Sequence, residues 1–146
     1  GKPALPVKEL EKAFINAFYD QERALYSDSE NTTHSALHSN VFPLFFGIGG
    51  DKRLKQNTLD LIREKRLACC NIFGSFPLLA LLKRWKEEKL MKELILSDEA
   101  MGRMLNEGAT ATMEAWGKDL KWNTALFHLT FSAMLIFFTD YEFPVY

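Results

Sequence analysis

The sequence predicts an all-α protein made of antiparallel helical hairpins, and three observations carry that expectation. Apolar residues recur at helical spacing in one segment after another, short polar or Gly- and Pro-containing stretches separate the segments, and no segment shows convincing strand alternation. Helix, loop and helix follow one another six or seven times along the chain. At roughly 150 residues per domain, the 146 residues are expected to form a single helical domain.

Val7, Leu10, Phe14, Ala17 and Phe18, with charges between them, predict an amphipathic helix from about Pro6 to Ala24. Pro6 suits its first turn. Ser27 to Thr33 is polar turn material. A mostly apolar helix follows from His34 to Ile48, kinked or bounded at Pro43. Gly49 and Gly50 end it, and Asp51 is placed to cap the next helix, which runs to about Glu64. Cys70 to Trp85 is another apolar helix with Pro77 near its start, and Glu88 to Leu96 is a short one. Asp98 is expected to cap a turn through Met101, Met104 and Leu105. Gly108 to Lys121, rich in Gly, Thr and Trp, reads as an irregular loop. The nearly unbroken apolar stretch from Asn123 to Thr139 predicts a helix buried on most sides.

Composition excludes several classes. Lys and Arg number 18 against 19 Asp and Glu, a net charge of −1, so the basic stripe of a nucleic-acid binder is missing. The mixed run Lys83 to Lys89 reads as a solvated helix end. Hydrophobic content of 47% with 25% charge is a globular balance, not that of a disordered tail. The longest weakly polar run, Ala125 to Phe138, is shorter than the roughly 20 residues a membrane span needs. Cys69 and Cys70 are adjacent, so they cannot staple distant segments, and two buried thiols are expected. His34 and His38 are four apart, but Ser35 stands where a zinc-protease helix carries Glu. No metal and no organic cofactor is expected. The ends of the chain leave the compartment open.

The loop after Asn106 carries the chemistry. Glu107 and Glu114 flank Gly108 to Met113, and Trp116 and Trp122 follow. Indole faces pack against sugar C–H groups, and a carboxylate can activate water or protonate a glycosidic oxygen.

Glu107 to Trp116, EGATATMEAW, resembles the EGATTxWExW signature of the bacterial α-L-rhamnosidase family of glycoside hydrolases. Further stretches resemble the family in the same order. Leu25 to Asp28 and His34 to Ile48 look like its "Y-x-D … HSxLHANxFPLxFGL". Leu67 to Cys70 with Phe73 to Ser75 resembles the segment before its next helix, and Lys118 to Thr124 with His128 resembles "GKDxKWNTSLCHPW". The likeness covers about residues 14 to 132.

The resemblance implies part of an (α/α)6 toroid, six helical hairpins in a ring around a cleft, acting on rhamnose-containing glycans or glycosides with inversion. It places the general base at Glu114, a sugar wall at Trp116 and a hydroxyl partner at His128. Trp122, Glu107 and His38 are the further substrate-binding candidates, His38 on the polar rim of the cleft. The family's general acid lies upstream, and no residue here matches it, so this chain alone is expected to lack hydrolytic activity. Met113 replaces an expected Trp. After His128 the pattern changes, and residues 129–146 form an atypical tail that points to a frameshift or a truncated gene. Three alternatives stay open: another α/α-toroid glycosidase, a lyase of that fold, and a non-catalytic helical module. Exposed helix faces in a partial ring would favour a homo-oligomer.

Overall fold

A computed structural model describes residues 6–139. The fold is all-α, with six α-helices among these residues: α1 (Val7–Phe18), α2 (Leu37–Phe45), α3 (Lys52–Lys65), α4 (Ile72–Arg84), α5 (Glu88–Leu96) and α6 (Met101–Asn106). Two 3-10 segments, Leu67–Cys69 and Leu129–Phe138, complete the helical structure. None of the helices described is long and apolar enough to cross a membrane.

α4 is the centre of the core. Leu78, Leu79, Ala80, Leu81 and Leu82 are all buried, so the helix is apolar on every side over that stretch. Such a helix is stable only when neighbours cover it. α2, α5 and the Leu129–Phe138 segment pack around it, and α3 packs on α2. Pro43 and Pro77 both lie inside helices, α2 and α4, where each removes one backbone donor.

Two caps follow the sequence. Asp51 accepts from the Arg53 and Leu54 N–H groups at 2.8 and 2.9 Å, starting α3. Asn71 accepts from the Gly74 N–H at 3.2 Å, starting α4. Asp98 does not cap α6; its carboxylate accepts from Asn106 Nδ2 at the helix's far end.

The first helix is shorter than the Pro6 to Ala24 expected. It ends at Phe18 because the chain then turns back on itself, Tyr19–Asp20 pairing antiparallel with Leu25–Tyr26. Asp20 fixes that turn by accepting from the Glu22 and Arg23 N–H groups, and Ala24 takes a left-handed conformation. A two-residue ladder is too short for alternation to reveal. Asn40 then ties the Leu25–Tyr26 strand to α2. Fully buried, it accepts from the Tyr26 N–H at 2.8 Å and donates to the Tyr26 and Ala36 carbonyls.

α2 begins at Leu37, so His34 lies ahead of it, paired with Asp28. His34 and His38 therefore do not share a helical face. Asp28 also accepts from the Ala36 N–H and the Ser39 hydroxyl, holding the entry to α2. Cys70 is buried as expected, but Cys69 is exposed, because it closes a surface 3-10 turn.

The largest departure is at the end. Residues Asn123 to His128 are not helical, and Leu129–Phe138 is a 3-10 helix. Backbone groups of Ala125 and His128 bond across to Glu114 and Thr112, which removes them from any helical ladder. Beyond them, Phe131, Met134 and Phe137 are buried while Leu129, Leu135 and Phe138 are exposed. Burial every third residue is the 3-10 period. The part of the atypical tail from Asp140 onward lies outside the described residues.

Candidate active site

The loop from Glu107 to His128 is held at both ends. Glu107 accepts from Arg103 Nε on α6 at 2.9 Å and from the Lys118 N–H at 2.8 Å. These bonds, the Lys118 one foremost, hold the Glu107 carboxyl below its ordinary range. Arg103 also pairs with Asp119. Gly117 permits this closure: a Cβ there would collide with the Arg103 guanidinium and crowd the Glu107 carboxylate.

Two strips of the loop then face each other. The Glu114 N–H donates to the Ala125 carbonyl at 2.9 Å, and the His128 N–H donates to the Thr112 carbonyl at 2.7 Å. The Thr112 hydroxyl donates back to the His128 carbonyl. The frame sets Glu114 and His128 on neighbouring strips that line one cleft of about 550 Å³.

Within that cleft the Glu114 carboxylate accepts from Lys121 Nζ with one oxygen and from the Ala125 N–H, at 3.2 Å, with the other. Lys121 foremost, then the Ala125 N–H, holds the carboxyl below the ordinary glutamate range, with a further contribution from His128. Glu114 is therefore ionised at neutral pH. Of the four lone-pair positions on a carboxylate, these bonds use two and leave the rest for water. The His128 ring lies against the Thr130 hydroxyl.

Trp116 lines the same cleft but is 3% exposed. Its Nε1 donates to the Cys70 carbonyl at 2.6 Å, and its ring sits 4.2 Å from that of Phe131, centroid to centroid. The indole pins the loop to the entry of α4 as well as walling the cleft. Met113 is buried in the core and does not line the cleft.

The cleft thus brings together Glu114, Trp116 and His128 of the residues expected from sequence. Glu107 braces the loop from outside it, and Trp122 is 96% exposed. His38 lies on α2, stacked near Phe42 and against Gly74, and lines a different cavity of about 410 Å³ with Phe14, Asp28 and Phe46. Among the described residues no group of three or more His, Cys, Asp or Glu is placed to hold a metal ion.

Lys121, Phe131 and the Cys70 carbonyl escaped sequence reasoning. Lys121 follows Glu114 by seven positions in a loop without periodicity, so only the turn at Gly117 makes them neighbours. A backbone carbonyl has no sequence signature at all.

Lys121→Met should raise the Glu114 pKa. Removing the cation destabilises the carboxylate relative to the neutral acid, so the acid-side titration moves to higher pH. A carboxyl-carbon NMR titration of Glu114 checks this, and an unchanged midpoint would remove Lys121 as the chief cause.

No curated protein and no solved structure matches the chain. The family described as bacterial alpha-L-rhamnosidase 6 hairpin glycosidase domain matches residues 6–141. That span runs across every helix described and the whole of the loop that carries Glu114, Trp116 and His128. A six-hairpin domain is an α/α arrangement, and the all-α fold built around α4 agrees with part of one. A glycosidase domain takes a carbohydrate substrate. With most of its length matched, this chain belongs to the bacterial α-L-rhamnosidase six-hairpin glycosidase domain family.

Proposed function

We propose that this chain supplies the base side of the cleft in an inverting α-L-rhamnosidase, removing terminal rhamnose from glycans or glycosides. The observation that carries this is Glu114, an ionised carboxylate fixed by Lys121 and the Ala125 N–H in a cleft that also holds His128 and Trp116. A general base must be deprotonated at rest and must keep a lone pair for water, and Glu114 meets both conditions.

In this reading, water sits against a free lone pair of Glu114 and attacks the anomeric carbon on the face opposite the leaving group. Its proton passes to the carboxylate as the bond forms. Inversion requires a second carboxyl about 6.5–9.5 Å away to protonate the departing oxygen. Glu114 is the only carboxylate among the described residues lining this cleft. In this reading the general acid is supplied by another part of the six-hairpin domain, of which this chain is one portion. His128 would bind a sugar hydroxyl through its imidazole, and Trp116, almost wholly buried, would serve as apolar wall of the cleft.

The test is aryl α-L-rhamnoside hydrolysis by this chain alone and by the chain joined with the remaining hairpins. Release of rhamnose as the inverted anomer, seen by proton NMR, only in the joined form is expected. A retained anomer would remove the base role, and release from other aryl glycosides instead would favour a different sugar. Exposed Phe127, Leu129 and Leu135 favour a second reading, a helical module whose faces a second copy covers. Silence on every glycoside, with concentration-dependent association in sedimentation, would support it.

A further inference from the structure

Cys69, Cys70 and Asn71, at the junction between the 3-10 turn and α4, line the same cleft as Glu114. The two sulfurs are 3.9 Å apart. Cys69 is exposed and Cys70 is buried, so an oxidant reaches the first and not the second. We propose that Cys69 and Cys70 form a reversible thiol redox site, in which a hydroperoxide oxidises Cys69 and Cys70 closes a vicinal disulfide on it.

The surroundings assign the two roles. As a thiol, Cys69 donates to the Arg66 carbonyl at 3.2 Å. As a thiolate it accepts from the Cys70 thiol, and that bond, helped by Lys65 on the last turn of α3, holds Cys69 down to about 7. The same contact and burial push the Cys70 thiol up, so it stays protonated. Thiolate character and access together select the residue that reacts with peroxide. Arg66, directly before the turn, has φ of 60° with ψ of 174°, a backbone region that strongly favours glycine. The thiol pair thus follows a strained residue.

The chemistry balances. A lone pair of the Cys69 thiolate attacks the terminal oxygen of the hydroperoxide, the O–O bond breaks, and the alkoxide takes a proton and leaves as alcohol. The Cys70 sulfur then displaces the hydroxyl of the Cys69 sulfenic acid, and its proton leaves with that hydroxyl as water. Two thiols lose two electrons and the O–O bond gains them. Adjacent Cα atoms are only about 3.8 Å apart across a trans peptide, closer than ordinary disulfides allow. The ring is accordingly strained, and a strained, accessible disulfide is readily reduced by cellular thiols. Reversibility follows from the adjacency itself.

This inference is independent of the role proposed for Glu114, because its test reads mass and not hydrolysis. The chain is treated with hydrogen peroxide and weighed intact, then treated with dithiothreitol. The wild type is expected to lose two hydrogens without forming dimers and to regain them on reduction. Cys70→Ser should stop at one added oxygen, trapped by dimedone on Cys69. Cys69→Ser should react about tenfold more slowly or worse, since only the protonated, buried thiol remains. Oxidation appearing first on Cys70, disulfide-linked dimers in place of the internal ring, or a wild-type rate no faster than free cysteine would each overturn the proposal. The wild-type measurement stands even if a variant fails to fold.

Discussion

Glu114→Gln is expected to lower kcat on aryl α-L-rhamnosides by about 10²–10⁴-fold in any form of the domain that turns them over. Glutamine keeps an oxygen to accept from the Ala125 N–H, so the loop should hold its shape. What it loses is the ability to take a proton from water. Because the base acts only as the water attacks, the loss should fall on kcat with KM little changed. Circular dichroism and the thermal midpoint serve as the fold control. Turnover retained within a few fold, with the fold intact, would exclude Glu114 as the base and shift attention to a carboxylate outside the described cleft.

Trp116→Ala carries the largest expected effect on stability, about 3–5 kcal/mol by the usual cost of removing a buried Trp. The side chain is 3% exposed, packs on Phe131 and donates to the Cys70 carbonyl. Truncation opens a cavity between the loop and α4 and leaves a buried carbonyl without its donor. Trp116→Phe keeps a ring against Phe131 but loses the N–H and part of the indole volume. It should cost less than the alanine variant while still leaving the Cys70 carbonyl unpaired, itself about 1–3 kcal/mol. Urea unfolding of both variants measures the difference. A sugar platform held out in solvent would barely alter stability when truncated, so a small loss for Trp116→Ala would mean that the indole is not the anchor described here.

The residues of the site differ in how visible they are in the sequence. Glu114 and Trp116 are legible because the signature Glu107 to Trp116 is a contiguous string, and His128 because a second block follows it; the loop folds all three into one cleft. Glu107 stands in that same string, Trp122 in the block Lys118 to Thr124 and His38 in the earlier block His34 to Ile48, yet the structure sets all three outside that cleft. Glu107 is occupied by Arg103 and Lys118, and an ion pair four residues back along a helix is as good a use of a carboxylate as catalysis. Lys121 was invisible as a partner because a loop has no period to count along.

The same division runs through the fold. The apolar spacing, Asp51 ahead of α3 and the polar breaks determine by themselves that the chain is helical and where α3, α4 and α5 lie, since those signals act within a turn or two of the backbone. Glu88–Leu96 was bounded from sequence to the residue. Only the tertiary structure decided how the last apolar segment folds. Its residues are nearly all hydrophobic, so no face stands out, and α-helix and 3-10 helix are equally compatible with that composition. Hydrogen bonds from Ala125 and His128 to the Glu114 loop, and the fit of Phe131, Met134 and Phe137 into the core, settle it as a 3-10 helix. Those partners are distant in the chain, and long-range pairing is what local pattern does not encode.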